Sequence, residues 1–298
     1  MAESALNRPG RGRNEVPGRC SSRHSGRMAE TVPHRGLDAQ GHIAREGSLA
    51  HVRHEFRPVV AAARDAVLDL FGARLHSAYL YGSIPRGTAR VGRSDLDLLI
   101  ASREEPSPAD RDTVRALGEQ LDKEFPEIDG VGALLYGRGR LLSDVETYDM
   151  GFFVACLCTP LLGHDLAEYL PRYRPDSLLA RETNGDLAAL LPQWRARVAE
   201  ATDPGARRRL VRFQSRHLVR TAFTLVMPRW NGWTSDLHDM AEAFAGYYPA
   251  RGDQLRAAAV RGYEPVDSPE ALAEYAEDLG PWLAEEYARV HGVKSPRP

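Results

Sequence analysis

Two carboxylates one residue apart inside an apolar run constrain this chain more than any other feature. The run is Ser94-Asp95-Leu96-Asp97-Leu98-Leu99-Ile100. In a strand, alternate side chains share a face, so Asp95 and Asp97 point the same way, roughly 6–7 Å apart, while Leu96, Leu98 and Ile100 point into a core. Like charges so placed repel, and a buried carboxylate without a partner is expensive. One resolution is an edge strand with two solvated acids. The other is a divalent cation between them, and Mg²⁺, which binds through carboxylates and substrate phosphates, is the fitting ion.

The residues just upstream favour the cation. Tyr81-Gly82-Ser83 ends a short apolar strand, 78–81, and opens a turn into a helix, where free backbone N–H groups can receive phosphate oxygens. Gly82 allows close backbone approach and Ser83 adds a hydroxyl. Arg86, Arg90 and Arg93 follow as partners for the rest of a triphosphate. Of the 39 basic residues only Lys123 and Lys294 are lysine, so a phosphate-binding cation in this chain is an arginine, with its forked donor set.

Strand and helix patterns alternate around this segment: helix 49–71, strand 95–101, helix 108–125, strand 128–136, a helix-like stretch 142–158, then the strand and turn of TPLLGHDL. After Tyr173-Arg174-Pro175 strand signals stop, and helices are expected over 186–201, 206–227, 235–248, 252–261 and 268–291. The expected organisation is a disordered Arg/Gly/Pro-rich tail over 1–47, a catalytic domain over 48–175 and a helical domain over 176–298. Met28 opens MAETVPHRG, a more ordinary start, so residues 1–27 are a candidate mis-assigned translation start.

The stretch GSIPRGTARVGRSDLDLLI closely resembles the signature of the DNA polymerase beta-like nucleotidyltransferase superfamily, a Gly-Ser turn followed by a Ser-Asp-x-Asp strand. LVRTAFTLVM, WTSDLHDMAEAF, YYP and TPLLGHDL are similar in layout to streptomycin/spectinomycin-type aminoglycoside adenylyltransferases. The resemblance implies an α+β fold, a small mixed sheet flanked by helices and followed by an all-α bundle. It implies that Asp95 and Asp97 hold metal, two Mg²⁺ ions, and that a third acid on a later strand completes the site. Asp129, in Ile128-Asp129-Gly130-Val131, fits that role better than Glu127, which stays open. The implied nucleotide-binding set is Gly82, Ser83, Arg86 and Arg93. The implied reaction moves a nucleoside monophosphate, AMP from ATP, onto a hydroxyl of an acceptor such as an aminoglycoside-like molecule. Alternatives are a toxin-type enzyme modifying tRNA or protein, and a non-catalytic nucleotide-binding module.

Arginines at 208, 212, 216 and 220 form an i, i+4 stripe. It is either a solvated basic face or a face that closes over the triphosphate through Arg212 and Arg216. Trp230 and Trp233 with Asp236, His238, Asp239 and Glu242 would suit a sugar or polycationic acceptor, or equally plain packing behind an N-cap at Ser235. The net charge of −2 hides an arginine-rich first 57 residues and a mildly acidic remainder, which does not suit a general nucleic-acid binder, though a nucleic-acid acceptor is not excluded. Cys20, Cys156 and Cys158 make no disulfide framework. With no membrane-length apolar run and no secretory h-region, the expected location is the cytoplasm.

Overall fold

An amphipathic helix is stable when its apolar stripe covers a sheet. Helix α1 (Arg57–Phe71) does this with Val59, Val60, Ala63, Val67 and Phe71. The computed structural model describes residues 35–297. Upstream of α1 the expected continuous helix is instead two single 3₁₀ turns, Leu49–His51 and His54–Phe56, because Pro58 is disfavoured inside an α-helix and favoured in its first turn.

The chain then alternates through β1 (Leu75–Tyr81), the single turn α2 (Ser83–Arg86), β2 (Leu96–Ser102), α3 (Pro108–Glu124), β3 (Val131–Gly137) and α4 (Arg138–Leu141). Irregular 3₁₀ and π turns over 144–157 lead into β4 (Cys158–Gly163). Among the described residues the strands form one mixed sheet in the order β3-β2-β1-β4. β1 pairs antiparallel with β2 and β4, and β2 pairs parallel with β3. One face, with Ala78, Leu80, Leu96, Leu98 and Ile100, packs on α1 and α3. The other carries Tyr79, Leu99, Ala101 and Cys158 against Val154 and Leu166. Alternation in β2 therefore sends Asp97 to this second face.

Downstream come α5 (Ser177–Asn184), α6 (Leu187–Glu200), α7 (Pro204–Trp230), α8 (Leu237–Ala245), α9 (Pro249–Tyr263), α10 (Pro269–Glu274) and α11 (Gly280–His291). The fold is thus α+β with a helical C-terminal region. Helix α7 is the axis of that region, burying Leu218, Val219, Ala222, Phe223, Leu225, Val226 and Met227. The helical core also takes in Ile43, Phe152, Cys156 and Tyr173, so the packing crosses the expected boundary near 175, and all described residues fall in one compact unit.

Residues 1–34 of the expected tail lie outside the described residues, as does the proposed start at Met28. Residues 35–47 differ from the expectation. Ile43 is buried, its N–H bonds the Tyr173 carbonyl, and Glu46 N–H bonds the Cys156 carbonyl. A single buried isoleucine, main-chain pairing and side-chain ties such as Arg45 to Asp165 at 2.7 Å hold this segment, and none leaves a periodic trace in sequence. Cys156 and Cys158 are buried free thiols. No helix among the described residues is long and apolar enough to cross a membrane.

Candidate active site

Strand β1 ends at Tyr81, and register sets Tyr81 opposite Asp97 of β2. Gly82 follows with φ 78°, a conformation that favours glycine. A Cβ there would strike the Asp97 carboxylate. The glycine of the Gly-Ser turn is therefore needed by the second aspartate itself, which ties the two halves of the motif in space. Ser83 then begins α2, whose last residue, Arg86, lies 3.5 Å from Glu46.

Asp97 is a strained carboxylate. Burial, then the charge of Asp95, pushes its pKa up from 3.8 to about 7, against the opposing pull of Arg216, Arg86 and Arg212. A carboxylate whose ionisation is opposed by burial and by a neighbouring acid marks a site wanting positive charge. Part of that charge comes from α7. Arg212 Nη2 donates to Asp95 Oδ2 at 3.3 Å. Arg216 Nε donates to the Gly262 carbonyl at 2.8 Å. Its own pKa falls to about 10, first through burial and then through Arg212 and Arg220, with Asp95 and Asp97 opposing. Arg220 keeps a large solvent-accessible area while burial among protein atoms and the charge of Arg86 lower its pKa, opposed by Tyr263, Asp97 and Glu46. Arg220 thus borders the cleft between the carboxylates and α7, near Arg86, Asp97 and Glu46.

The cleft thus brings together Asp95, Asp97, Gly82, Ser83, Arg86, Arg212 and Arg216 of the expected set, and adds Arg220 and Glu46. Arg220 was visible as the next step of the i, i+4 stripe. Glu46 was hidden in a segment read as tail.

Among the described residues no side-chain hydrogen bond or ion pair joins Asp129 or Arg93 to the carboxylate pair. Parallel pairing sets Gly132 beside Asp97, and a Cβ on Gly132 would lie 2.8 Å from Asp97 Oδ1. Gly130, at φ 129°, interrupts the alternation just before β3, and Asp129 precedes it on exposed chain, its N–H donating to the Ser94 carbonyl. Glu127 likewise precedes β3 and buries an unpartnered Oε2. The β3 position facing the pair is glycine, and among the described residues no group of three His, Cys, Asp or Glu side chains could hold a metal. Arg93 lies on the exposed turn after Arg90, its N–H donating to the Arg90 carbonyl.

The tryptophans serve packing. Trp233 is buried edge-on against Phe152 and Phe223, and Trp230 packs on Phe223 beneath Arg35. The N-cap of α8 is Asp236, not Ser235, accepting from His238 and Asp239 N–H, and Tyr263 donates to its other oxygen. Glu242 is paired with Arg256.

Residues 60–132 match the family model of the nucleotidyltransferase domain. The chain carries a nucleotidyltransferase domain. The matched span runs from α1 through the Gly-Ser turn and both carboxylates to Gly132. No curated protein matches the sequence. The crystal structure of spectinomycin adenyltransferase AAD(9) from Enterococcus faecialis with ATP and spectinomycin aligns over 77% of this chain and 98% of its own. The identity is 13% and the TM-score 0.48, a likeness that says nothing of this chain's acceptor.

Proposed function

We propose that this nucleotidyltransferase moves a nucleoside monophosphate, AMP from ATP, onto an acceptor hydroxyl, with Mg²⁺ held by Asp95 and Asp97. The observation that carries the reading is the face of α7 presented to the carboxylates: Arg212 touches Asp95, and Arg216 and Arg220 continue the row beside Asp97 and Arg86. Guanidiniums crowded at i, i+4 repel one another, and a polyanion between them relieves that repulsion.

The donor set suits Mg²⁺. That ion is commonly held by one or two carboxylates with the remaining positions filled by water and substrate phosphate, so a two-carboxylate site without a third acid is sufficient. When bound, Mg²⁺ supplies charge neutralisation at the transferring phosphoryl group. The protein's own part is positional. Gly82 and Ser83 offer the turn at which phosphate oxygens are received. Arg216, fixed by the Gly262 carbonyl, and Arg220 and Arg86 hold the triphosphate along the cleft. Alignment for in-line attack and stabilised charge then supply most of the rate. The attacking hydroxyl's proton would pass to solvent as the bond to pyrophosphate breaks, since the β3 residue facing Asp97 is glycine.

The test is incubation with ATP labelled at the α-phosphate, Mg²⁺ and a panel of hydroxyl-bearing small molecules, with tRNA and protein fractions as the other acceptor classes. Pyrophosphate release with transfer of label is expected, and Asp95→Ala and Asp97→Ala should each lower the rate at least ~100-fold. Full transfer by either variant would show that the carboxylates do not serve the chemistry.

A further inference from the structure

We propose that Arg212 is an exchange residue: it holds Asp95 until a divalent cation takes that carboxylate, and its guanidinium then turns to the triphosphate. This rests on the reading of Asp95 and Asp97 as the metal-binding pair.

The contact has the character of a temporary one. Its 3.3 Å separation is longer than the roughly 2.7–2.9 Å of a strong charge-assisted bond. Both side chains remain about one-third exposed, 35% and 29%, where an ion pair is weak and readily exchanged. Among the described residues Arg212 makes no other side-chain hydrogen bond or ion pair. Its neighbours on the stripe and across the cleft are tied differently: Arg216 to the Gly262 carbonyl and Arg86 to Glu46. Arg212 is thus the cleft arginine whose only partner is a proposed metal ligand.

The helix supplies the destination. Arg216 and Arg220 follow at four-residue steps, about 6 Å apart along the axis, on the face turned to Asp97. A guanidinium leaving Asp95 needs only a rotamer change to meet an anion held by Arg216. Metal and nucleotide then assist each other through this side chain, because the metal frees the arginine and the phosphates receive it. Such assistance is a coupling free energy and must be reciprocal.

The experiment is Mn²⁺ binding followed by electron paramagnetic resonance, alone and with a non-hydrolysable ATP analogue, for wild type, Arg212→Ala, Arg212→Gln, Arg216→Ala and Asp97→Ala. Arg212→Ala and Arg212→Gln should bind Mn²⁺ alone about threefold more tightly, the fold-change of a lost exposed ion pair. Both should bind the analogue about tenfold more weakly at saturating Mn²⁺, so the mutual enhancement shrinks. Arg216→Ala controls for simple loss of positive charge, since Arg216 acts on Asp97 more strongly than Arg212 does. Exchange predicts the larger gain in Mn²⁺ affinity for the Arg212 variants. Mn²⁺ affinity unmoved or weakened in them, or matched by Arg216→Ala, overturns the exchange. A wild-type protein that binds no Mn²⁺, or an Asp97→Ala protein that binds it unchanged, overturns the metal reading beneath it.

Discussion

Asp97 sits where three demands meet. Its neighbour Gly82 must lack a Cβ, Gly132 on the adjoining strand leaves it room, and Asp95 beside it opposes its ionisation. Its pKa of about 7, against an ordinary 3.8, has a thermodynamic consequence. The folded protein keeps a proton on Asp97 that the unfolded chain releases near pH 4. Stability from this residue is therefore present below that pH and lost as pH rises through about 7. Across pH 4.5 to 8, the metal-free wild type should lose more stability in denaturant titrations than Asp97→Asn, by on the order of a few kcal/mol at most. Equal slopes for the two proteins would remove the raised pKa. Gly82→Ala should cost about 1–3 kcal/mol through its left-handed φ and abolish transfer by displacing Asp97. A thermal melt and the label-transfer assay read these separately.

At the scale of elements, the strands and the long helices were legible because alternation and the helical repeat are imposed by a two-sided sheet and a one-sided helix. Helix α3 shows how local chemistry closes an element. Ser107 Oγ accepts from Asp110 N–H while the Asp110 carboxylate accepts from Ser107 N–H, a complete capping box. Ser107→Ala should lower stability by about 1 kcal/mol with the transfer rate unchanged, measured by denaturant unfolding and the label assay. The stretch 142–158 reads as a helix in sequence and is built as 3₁₀ and π turns, because packing of Phe152, Phe153 and Val154 against two different cores overrides helical propensity. The site was legible where one contiguous stretch of sequence supplies it, as in Gly82, Ser83, Asp95 and Asp97. It was illegible where pairing register decides. Nothing local reveals that Gly132, rather than Asp129, faces Asp97, or that Glu46 is carried to Arg86 by a segment with one buried isoleucine.

Across the whole molecule, the C-terminal residues tie the sheet side to the helical side. Lys294, one of two lysines, is nearly buried and bonds Asp149 at 2.9 Å and Asp186 at 3.2 Å. Arg297 adds Glu146 at 2.7 Å. Burial pushes the Asp149 carboxyl up and Lys294 opposes it. Lys294→Met should leave Asp186 without its cation and Asp149 with only Arg297, 3.3 Å away, and cost about 2 kcal/mol, below the full cost of a buried pair because both acids keep some solvent. A differential scanning measurement checks it. The same two sides form the cleft, with carboxylates at the start of β2 and arginines from α7, so nucleotide affinity should depend on both. Calorimetric titration of a non-hydrolysable ATP analogue into wild type, Asp95→Ala and Asp97→Ala, with and without Mg²⁺, tests this most directly. Binding should be strengthened by Mg²⁺ in wild type, and that strengthening should vanish in both variants. The same Mg²⁺ dependence in all three proteins would contradict a metal held by Asp95 and Asp97.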